Sequence, residues 1–345
     1  TRVLPVAEIG MISPQLRPWA ISLRVLDISD LRVEAPLLQL LAECIVLMPS
    51  LSTIKQRNVN PAFLLNAIKS CWDIGGTLPP LQQIDLSQVH KGAVYDWSAL
   101  VPALLAVKSS LSAHGSEITL SGIFSSCNPA QQMQIFADLL MALDMNSLSS
   151  SVIEVPPAAG TQTSVLSELV HKSRFQGILD CSNKSLRIVV ATIQGMKRNP
   201  SLSGLFLRQI EKLPNQMYPF GDAMFCREMA ELLQQNQTIK RLDLSQNSML
   251  QIHFPPGLSL DTMPNTQLCT QILAFKSLPT SQETANVVGM INGLGQNRSI
   301  TTLDIRLCDL GDVGVTALGQ AMRSNRTVSS LKFDMNRVSI EGIKG

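Results

Sequence analysis

Six stretches of the chain carry apolar residues at the same three positions, with two polar or variable residues after the first and one after the second. They are Leu23, Leu26 and Ile28; Leu81, Ile84 and Leu86; Leu202, Leu205 and Leu207; Ile239, Leu242 and Leu244; Ile300, Leu303 and Ile305; and Val328, Leu331 and Phe333. Weaker copies fall at Leu51 to Gln56, Ile118 to Ile123, Val152 to Val155, Phe175 to Cys181 and Thr270 to Phe275. A strand places alternate side chains on one face, so the second and third positions of each stretch point the same way. Between the stretches the period changes. Val315, Leu318 and Met322, and before them Val287, Met290, Ile291 and Leu294, fall at helical spacing. Residues 35–47, 130–143, 184–196 and 222–233 predict further helices.

A short strand cannot bury its own face, and each unit therefore needs a neighbour of the same kind on either side. About eleven units with centres mostly some 25 to 37 residues apart bracket the leucine-rich-repeat period. The expectation is an α/β leucine-rich-repeat solenoid, a horseshoe with a parallel sheet on the concave face and helices on the convex face. The array is expected over 21–345 and to continue past the C-terminus, with 1–20 an unassigned segment or an incomplete first repeat. The pattern blurs over 147–176, where Pro156, Pro157 and Gly160 interrupt it, and again at Phe254 to Gly257. Both read as loop-like inserts, because repeats resume on either side.

Four helices are expected to end on the same punctuation, at Asn199, Asn236, Asn297 and Asn325. Asparagine tolerates the left-handed backbone that closes a helix, and this reading is preferred to glycosylation at the three that precede x-Ser or x-Thr. Asn247 and Asn336, five residues after Leu242 and Leu331, occupy a position whose side chain can bond loop backbone between coils. Cys308 holds that position after Leu303.

Composition narrows the function. The hydrophobic fraction is 45%, and aromatics contribute only 4%, so cores filled by Leu, Ile, Val and Ala are expected. The 28 basic and 26 acidic residues leave +2. No run of like charge is long enough to follow phosphates or anionic lipid, so neither nucleic acid nor direct membrane insertion is expected. Cys44, Cys71, Cys127, Cys181, Cys226, Cys269 and Cys308 are scattered and odd in number, which reads as reduced thiols of a cytoplasmic protein. His90, His114, His171 and His253 show no metal-ligand spacing, and no phosphate-binding glycine loop or nucleophile elbow occurs. No enzyme chemistry and no cofactor are expected.

The candidate site is a surface instead. Asp27, Asp85, Asp243 and Asp304 each follow the central apolar residue of a strand, and Lys55 and Lys332 stand at the same position in other units. With Lys240 beside them, Asp27, Asp85, Asp243, Asp304 and Lys332 form the candidate partner-binding concave face. Aspartate is also ordinary vocabulary at this position, and Arg24, Lys240, Arg241 and Arg306 lie close enough to make the surface mixed.

Leu303, Ile305, Leu310, Asp312, Gly314, Leu318, Ala321 and Asn325 together resemble the ribonuclease-inhibitor-like class of leucine-rich repeats. From Asn297 to Gly342 the order of motifs is similar to the late repeats of the CARMIL family, large actin regulators named for linking capping protein, the Arp2/3 complex and myosin I. The resemblance implies a protein-binding scaffold that regulates actin filament assembly at the membrane or cytoskeleton, with a location in the cytoplasm, at the cytoskeleton or cell cortex. Actin-regulatory proteins are the implied partners, and self-association would lie outside this chain. Two other readings stand beside it: a Ran-type GTPase-activating protein, and a structural subunit of a large assembly such as an axoneme.

Overall fold

A computed structural model describes residues 21–29, 41, 44–45, 48–56, 61–73, 79–87, 99–113, 116–124, 127–143, 151–211, 222–247, 281–336 and 338–339. The expected repeat at Thr270 to Phe275, the insert at Phe254 to Gly257 and the segment 1–20 lie outside these residues, as does most of the helix expected at 35–47. The chain divides into two compact units.

The first unit comprises Thr1–Gln162, Lys172–Asp180 and Ser201–Ser203. Its strands are β1 (Val25–Asp27), β2 (Thr53–Lys55), β3 (Gln83–Asp85), β4 (Glu117–Leu120), β5 (Val152–Glu154) and β6 (Ile178–Asp180), with helices α1 (Pro61–Asp73), α2 (Leu100–Ala113) and α3 (Pro129–Ala142) between them. The strands pair in parallel in chain order, and the helices pack α1 on α2 on α3 in the same order. Helix α3 starts where its sequence directs: Asn128 accepts from the Gln131 amide, Gln131 returns the bond to the Asn128 amide, and Pro129 supplies the preset backbone of the first turn.

The second unit comprises Thr163–His171, Cys181–Pro200 and Gly204–Gly345. It runs α4 (Thr163–Lys172), α5 (Leu186–Lys197), β7 (Gly204–Phe206), α6 (Ala223–Gln235), β8 (Arg241–Asp243), α7 (Ser281–Gln296), β9 (Thr302–Asp304), α8 (Gly311–Ser324) and β10 (Ser330–Lys332). Strands β7 to β10 are again parallel and in chain order, and α5 to α8 stack alongside. The fold is the α/β leucine-rich-repeat solenoid expected from the spacing.

The central apolar residues lie side by side. Leu26, Ile54, Ile84 and Ile118 form one row, and Leu205, Leu242, Leu303 and Leu331 another. Ile84, Leu205, Leu242 and Leu303 are buried as expected. Each removes a whole aliphatic side chain from water, which stabilises the fold by about 2 kcal/mol. Leu26 is half-buried, and Leu331 is 38% exposed. Leu331 differs from its row because it sits on β10, which pairs with β9 on one side only among the described residues.

Strand β4 is read in two frames. Towards β3 it pairs Ile84 with Ile118, whereas towards β5 it pairs Leu120 with Ile153. The offset is two residues, so the same face stays buried, as the period of a strand requires. Both Ile118 and Leu120 are fully buried. The Ser151 hydroxyl fills the gap by accepting from the Ile118 amide at 3.1 Å.

Over 151–176, the described part of the stretch 147–176, the loop-like reading is replaced by structure. Pro157–Thr161 form a short 3-10 helix with Ala159 buried, followed by α4. Proline hides a helix start from periodicity, yet its missing N–H is one that a first turn leaves unbonded anyway. Farther on, β8 pairs directly with β9, Leu242 opposite Leu303.

The helix-ending asparagines do their work in a way the sequence did not suggest. Asn236 and Asn325 have φ of −81° and −78°, in the extended region and not the left-handed one. From there each amide nitrogen donates back to the preceding coil. Asn199 reaches Val170 O at 2.5 Å, Asn236 reaches Met196 O at 3.1 Å, Asn297 reaches Leu233 O at 2.8 Å and Asn325 reaches Leu294 O at 2.7 Å. In the last three the amide oxygen accepts from the next backbone amides of its own turn, Thr238 and Ile239, Ser299 and Ile300, and Thr327 and Val328. One side chain thus satisfies carbonyls at a helix end and amides at the start of a strand, groups that would cost free energy if buried unpaired.

On the strand side Asn247 and Asn336 act as expected. Asn336 accepts from the Cys308 amide at 3.0 Å and donates to Ile305 O at 2.9 Å, and Asn247 accepts from Ile210 N at 2.8 Å while donating to Leu207 O. Cys308 takes the same place with a thiol that contacts Leu244 O at 3.0 Å. Six of the seven cysteines are described, and all six are free thiols, with Cys71, Cys181, Cys226 and Cys308 buried. Cys269 lies outside the described residues.

Candidate functional site

The aspartates that follow the central apolar residues share a height, as the register shows: Asp27 opposes Lys55, Lys55 opposes Asp85, and in the second unit Asp243 opposes Asp304, which opposes Lys332. Their carboxylates, however, bend back onto the turn two residues ahead. Asp27 accepts from Ser29 N at 3.0 Å, Asp85 from Ser87 N at 3.0 Å and Ser87 Oγ at 2.5 Å, Asp243 from Ser245 N at 2.9 Å, and Asp304 from Arg306 N at 3.2 Å. This is the turn that a short acidic side chain makes with its own backbone. Asp85 and Asp304 are consequently buried, while Asp243 is half-buried and Asp27, Lys240 and Lys332 are exposed. Of the six expected surface residues, the three in the open are therefore one aspartate in the first unit and two lysines in the second.

Two further carboxylates stand at the same position in the first unit, Glu154 and Asp180, which oppose one another. Glu154 accepts from the Gly122 amide. Their signal was an acidic residue after Ile153 and Leu179, hidden because the weak copies there are not centred by flanking leucines.

In the second unit the cations stand above the acids. The Arg306 guanidinium grips Asp304 through Nε at 2.9 Å and Nη2 at 2.7 Å. Burial alone would raise the Asp304 carboxyl, but the hydrogen bonds and charge of Arg306, with Lys332 nearby, hold it below the usual carboxylate range. Arg208 lies 3.6 Å from Asp243, bonds Ser182 Oγ at 3.3 Å and covers the ring of Phe206 at 5.4 Å. The side chains of Asp243 and Asp304 are 16% and 11% exposed, against 41% and 42% for Arg208 and Arg306. Arg241, exposed beside Lys240, has only Gly204 and Thr302 as strand neighbours. Phe206, Arg208 and Arg241 were not among the expected site residues. Their positions, respectively one after, three after and one before the central leucine, become a surface only once strands are in register.

The turns beyond the strands repeat a left-handed residue four positions after the centre, at Asn183, Gln209, Gln246, Leu307 and Met335. Gln209 donates to the Gln246 side-chain oxygen at 2.7 Å, linking consecutive coils. Leu307 and Met335 extend the same rim with exposed apolar side chains.

No group of three or more metal-ligating side chains comes together among the described residues. Burial pushes the Cys71 thiol up to about 11 and the Cys226 and Cys308 thiols up to about 12, so these sulfurs are protonated at neutral pH and are poor nucleophiles. An interior gap in the second unit is lined by Leu233, Leu244, Met290, Ile291, Leu294 and Leu318 with other aliphatics, and offers no polar group to a substrate. No helix among the described residues is long and apolar enough to cross a membrane.

Residues 296–319 match the family model described as Leucine Rich repeat. These are the end of α7, strand β9 and the first part of α8, one coil of the stack. Among solved structures the chain is similar to the leucine-rich repeat-containing protein LegL7 from Legionella pneumophila, with a TM-score of 0.51 at 12% identity, over 93% of this chain and 95% of that one. At that identity the likeness concerns the fold alone, and the fold is one whose extended sheet surfaces generally serve to bind other proteins.

Proposed function

We propose that this chain is a non-enzymatic protein-binding scaffold and that its strand face is the surface that engages partners. One observation carries the reading. The stack is held by buried apolar rows and by asparagines bonding from coil to coil, whereas Lys240, Arg241 and Lys332 stand exposed and form no ion pair among the described residues. Such positions are available for recognition without loss of the fold.

The finer reading, supported by the motif order from Asn297 to Gly342, is regulation of actin filament assembly in the cytoplasm, at the cytoskeleton or cell cortex. Asp27, Asp85, Lys240, Asp243, Asp304 and Lys332 remain its candidate surface, with Lys240 and Lys332 the most accessible of the second unit. The test is direct binding of purified actin-regulatory proteins, including capping protein, to the wild-type chain and to a variant altered at the exposed Lys240, Arg241 and Lys332. Retained folding with altered capture is the expected result. Equal capture by both removes the strand face, and faster GTP hydrolysis by a small GTPase replaces the scaffold with the catalytic alternative.

A further inference from the structure

We infer that the strand face of the second unit binds an extended acidic segment of a partner protein, an inference that rests on the scaffold reading and names the chemistry of its partner. Formal charge on this face is +2, with Arg208, Lys240, Arg241, Arg306 and Lys332 against Asp243, Asp304 and Asp334. Exposure widens the difference. Asp243 and Asp304 are turned into their own turns and covered, while Lys240, Arg241 and Lys332 are in the open and Arg208 and Arg306 are each more than two-fifths exposed. Asp334 is the one exposed carboxylate of the set, so a ligand approaching the sheet meets five accessible cations against a single exposed acid.

Register gives the cations a pattern. Gly204, Arg241, Thr302 and Ser330 form one row across β7 to β10, in which Arg241 is the single charged residue. Parallel to it run Phe206, Asp243, Asp304 and Lys332. Arg208 and Arg306 follow two residues after Phe206 and Asp304, two strands apart. At about 4.8 Å per strand they are roughly 10 Å apart along the sheet, close to one turn of a polyproline II segment, three residues at about 3.1 Å each. Acidic residues three apart on such a segment, crossing the strands, lie on one side of it and match this spacing. The half-buried Phe206 ring, which Arg208 covers on one side, and the exposed Leu307 next to Arg306 in sequence add apolar surface beside the charges. A nucleic acid fits the face less well, because its backbone carries a charge at every residue, whereas the cations here are interrupted by the uncharged Thr302 and Ser330 and by the exposed Asp334.

The probe is a fluorescein-labelled peptide of alternating Asp and Glu triplets with two leucines, titrated by anisotropy against the whole chain. Its Asn and Gln counterpart is the control. Saturable binding of the acidic peptide that weakens with salt is expected, with no binding of the control. Lys240→Glu, Arg241→Glu and Lys332→Glu combined should weaken it roughly tenfold or more, and the corresponding Gln variant should lie between, with unchanged circular dichroism in both. Equal affinity for the charge-reversed chain, equal binding of the control peptide, or no binding of the acidic one overturns the inference. Tighter binding of an oligothymidylate or of phosphatidylserine vesicles, lost in the same variant, overturns it in favour of a general polyanion surface. If the acidic peptide binds as expected while no actin-regulatory protein is captured, only the finer reading of the function fails. If protein capture survives in the charge-reversed chain while peptide binding was never present, the scaffold stands and this face is not its site.

Discussion

The side-chain amide of Asn297 donates to the carbonyl of Leu233 at 2.8 Å across 64 residues of sequence. The same amide group accepts from Ser299 N and Ile300 N, so one residue closes helix α6 and opens the approach to β9. Asn297→Ala leaves all three groups unpaired in a buried place. A loss of about 3 kcal/mol is expected, read by urea unfolding, and Asn297→Asp should not rescue it because its carboxylate would face the Leu233 oxygen.

The bond spans a sequence interval that the stack itself does not see. Sixty-one residues separate Asn236 from Asn297, yet only 28 separate Asn297 from Asn325 and 37 separate Asn199 from Asn236. The geometry of each link is the same. Replacing residues 250–278 with a short Gly-Ser linker should therefore leave β8 paired with β9, and a melting transition within a few degrees of wild type checks it. Collapse of the cooperative transition would mean that the stretch supports the stack.

Burial differs along a single row and so should the cost of truncation. Leu303→Ala removes contacts from a fully buried site and should destabilise by about 2–5 kcal/mol. Leu331→Ala, at a site 38% exposed, should cost about 1 kcal/mol. Equal costs in chemical denaturation would contradict the exposed setting of β10.

Charge and shape can be separated at Asp85. Asn keeps the oxygen that accepts from the Ser87 amide, whereas Ala removes it. Asp85→Asn should leave stability nearly unchanged and Asp85→Ala should cost about 1 kcal/mol. An Asn variant as unstable as Ala would show that the charge, and not the turn, is what this position needs.

Alkaline pH should weaken the fold through its thiols. Cys226 and Cys308 have their pKa raised to about 12 from an ordinary 9.0, so in the unfolded chain they ionise first. Their stabilisation is complete below pH 9 and is lost as pH rises from there towards 12. Stability measured across that window should fall less steeply in a Cys226→Ala, Cys308→Ala double variant. On the acid side the sign reverses: Asp304 is held below its ordinary value, and its contribution disappears as pH falls through the lowered one.

The repeat was legible because its signal is apolar spacing, and the rows of Leu205, Leu242 and Leu303 depend on little else. Helix α4 was not, since Pro156 and Pro157 read as interruption, although Leu166 and Val170 are buried at helical spacing. The asparagines were recognised as helix ends, but their reach to the preceding coil depends on a neighbour that sequence does not display. The candidate surface was legible as positions and misjudged in exposure. An aspartate two residues before a turn amide is drawn inward by a local hydrogen bond, and only the three-dimensional rows show which charges remain outside. Arg241 illustrates the rest: its neighbours Gly204 and Thr302 lie in other coils.

Strand β4 behaves as a dislocation in an otherwise regular lattice. Rows laid down before it run through Ile118 and rows after it through Leu120, and the mismatch is healed within four residues, with the Ser151 hydroxyl at the seam. Because the slip equals one full period of the strand, no side chain changes face and no neighbouring coil must readjust. Such a seam lets coils of different phase be joined end to end, so an array of this kind can lengthen or shorten by recombination without its copies having to be cut in step.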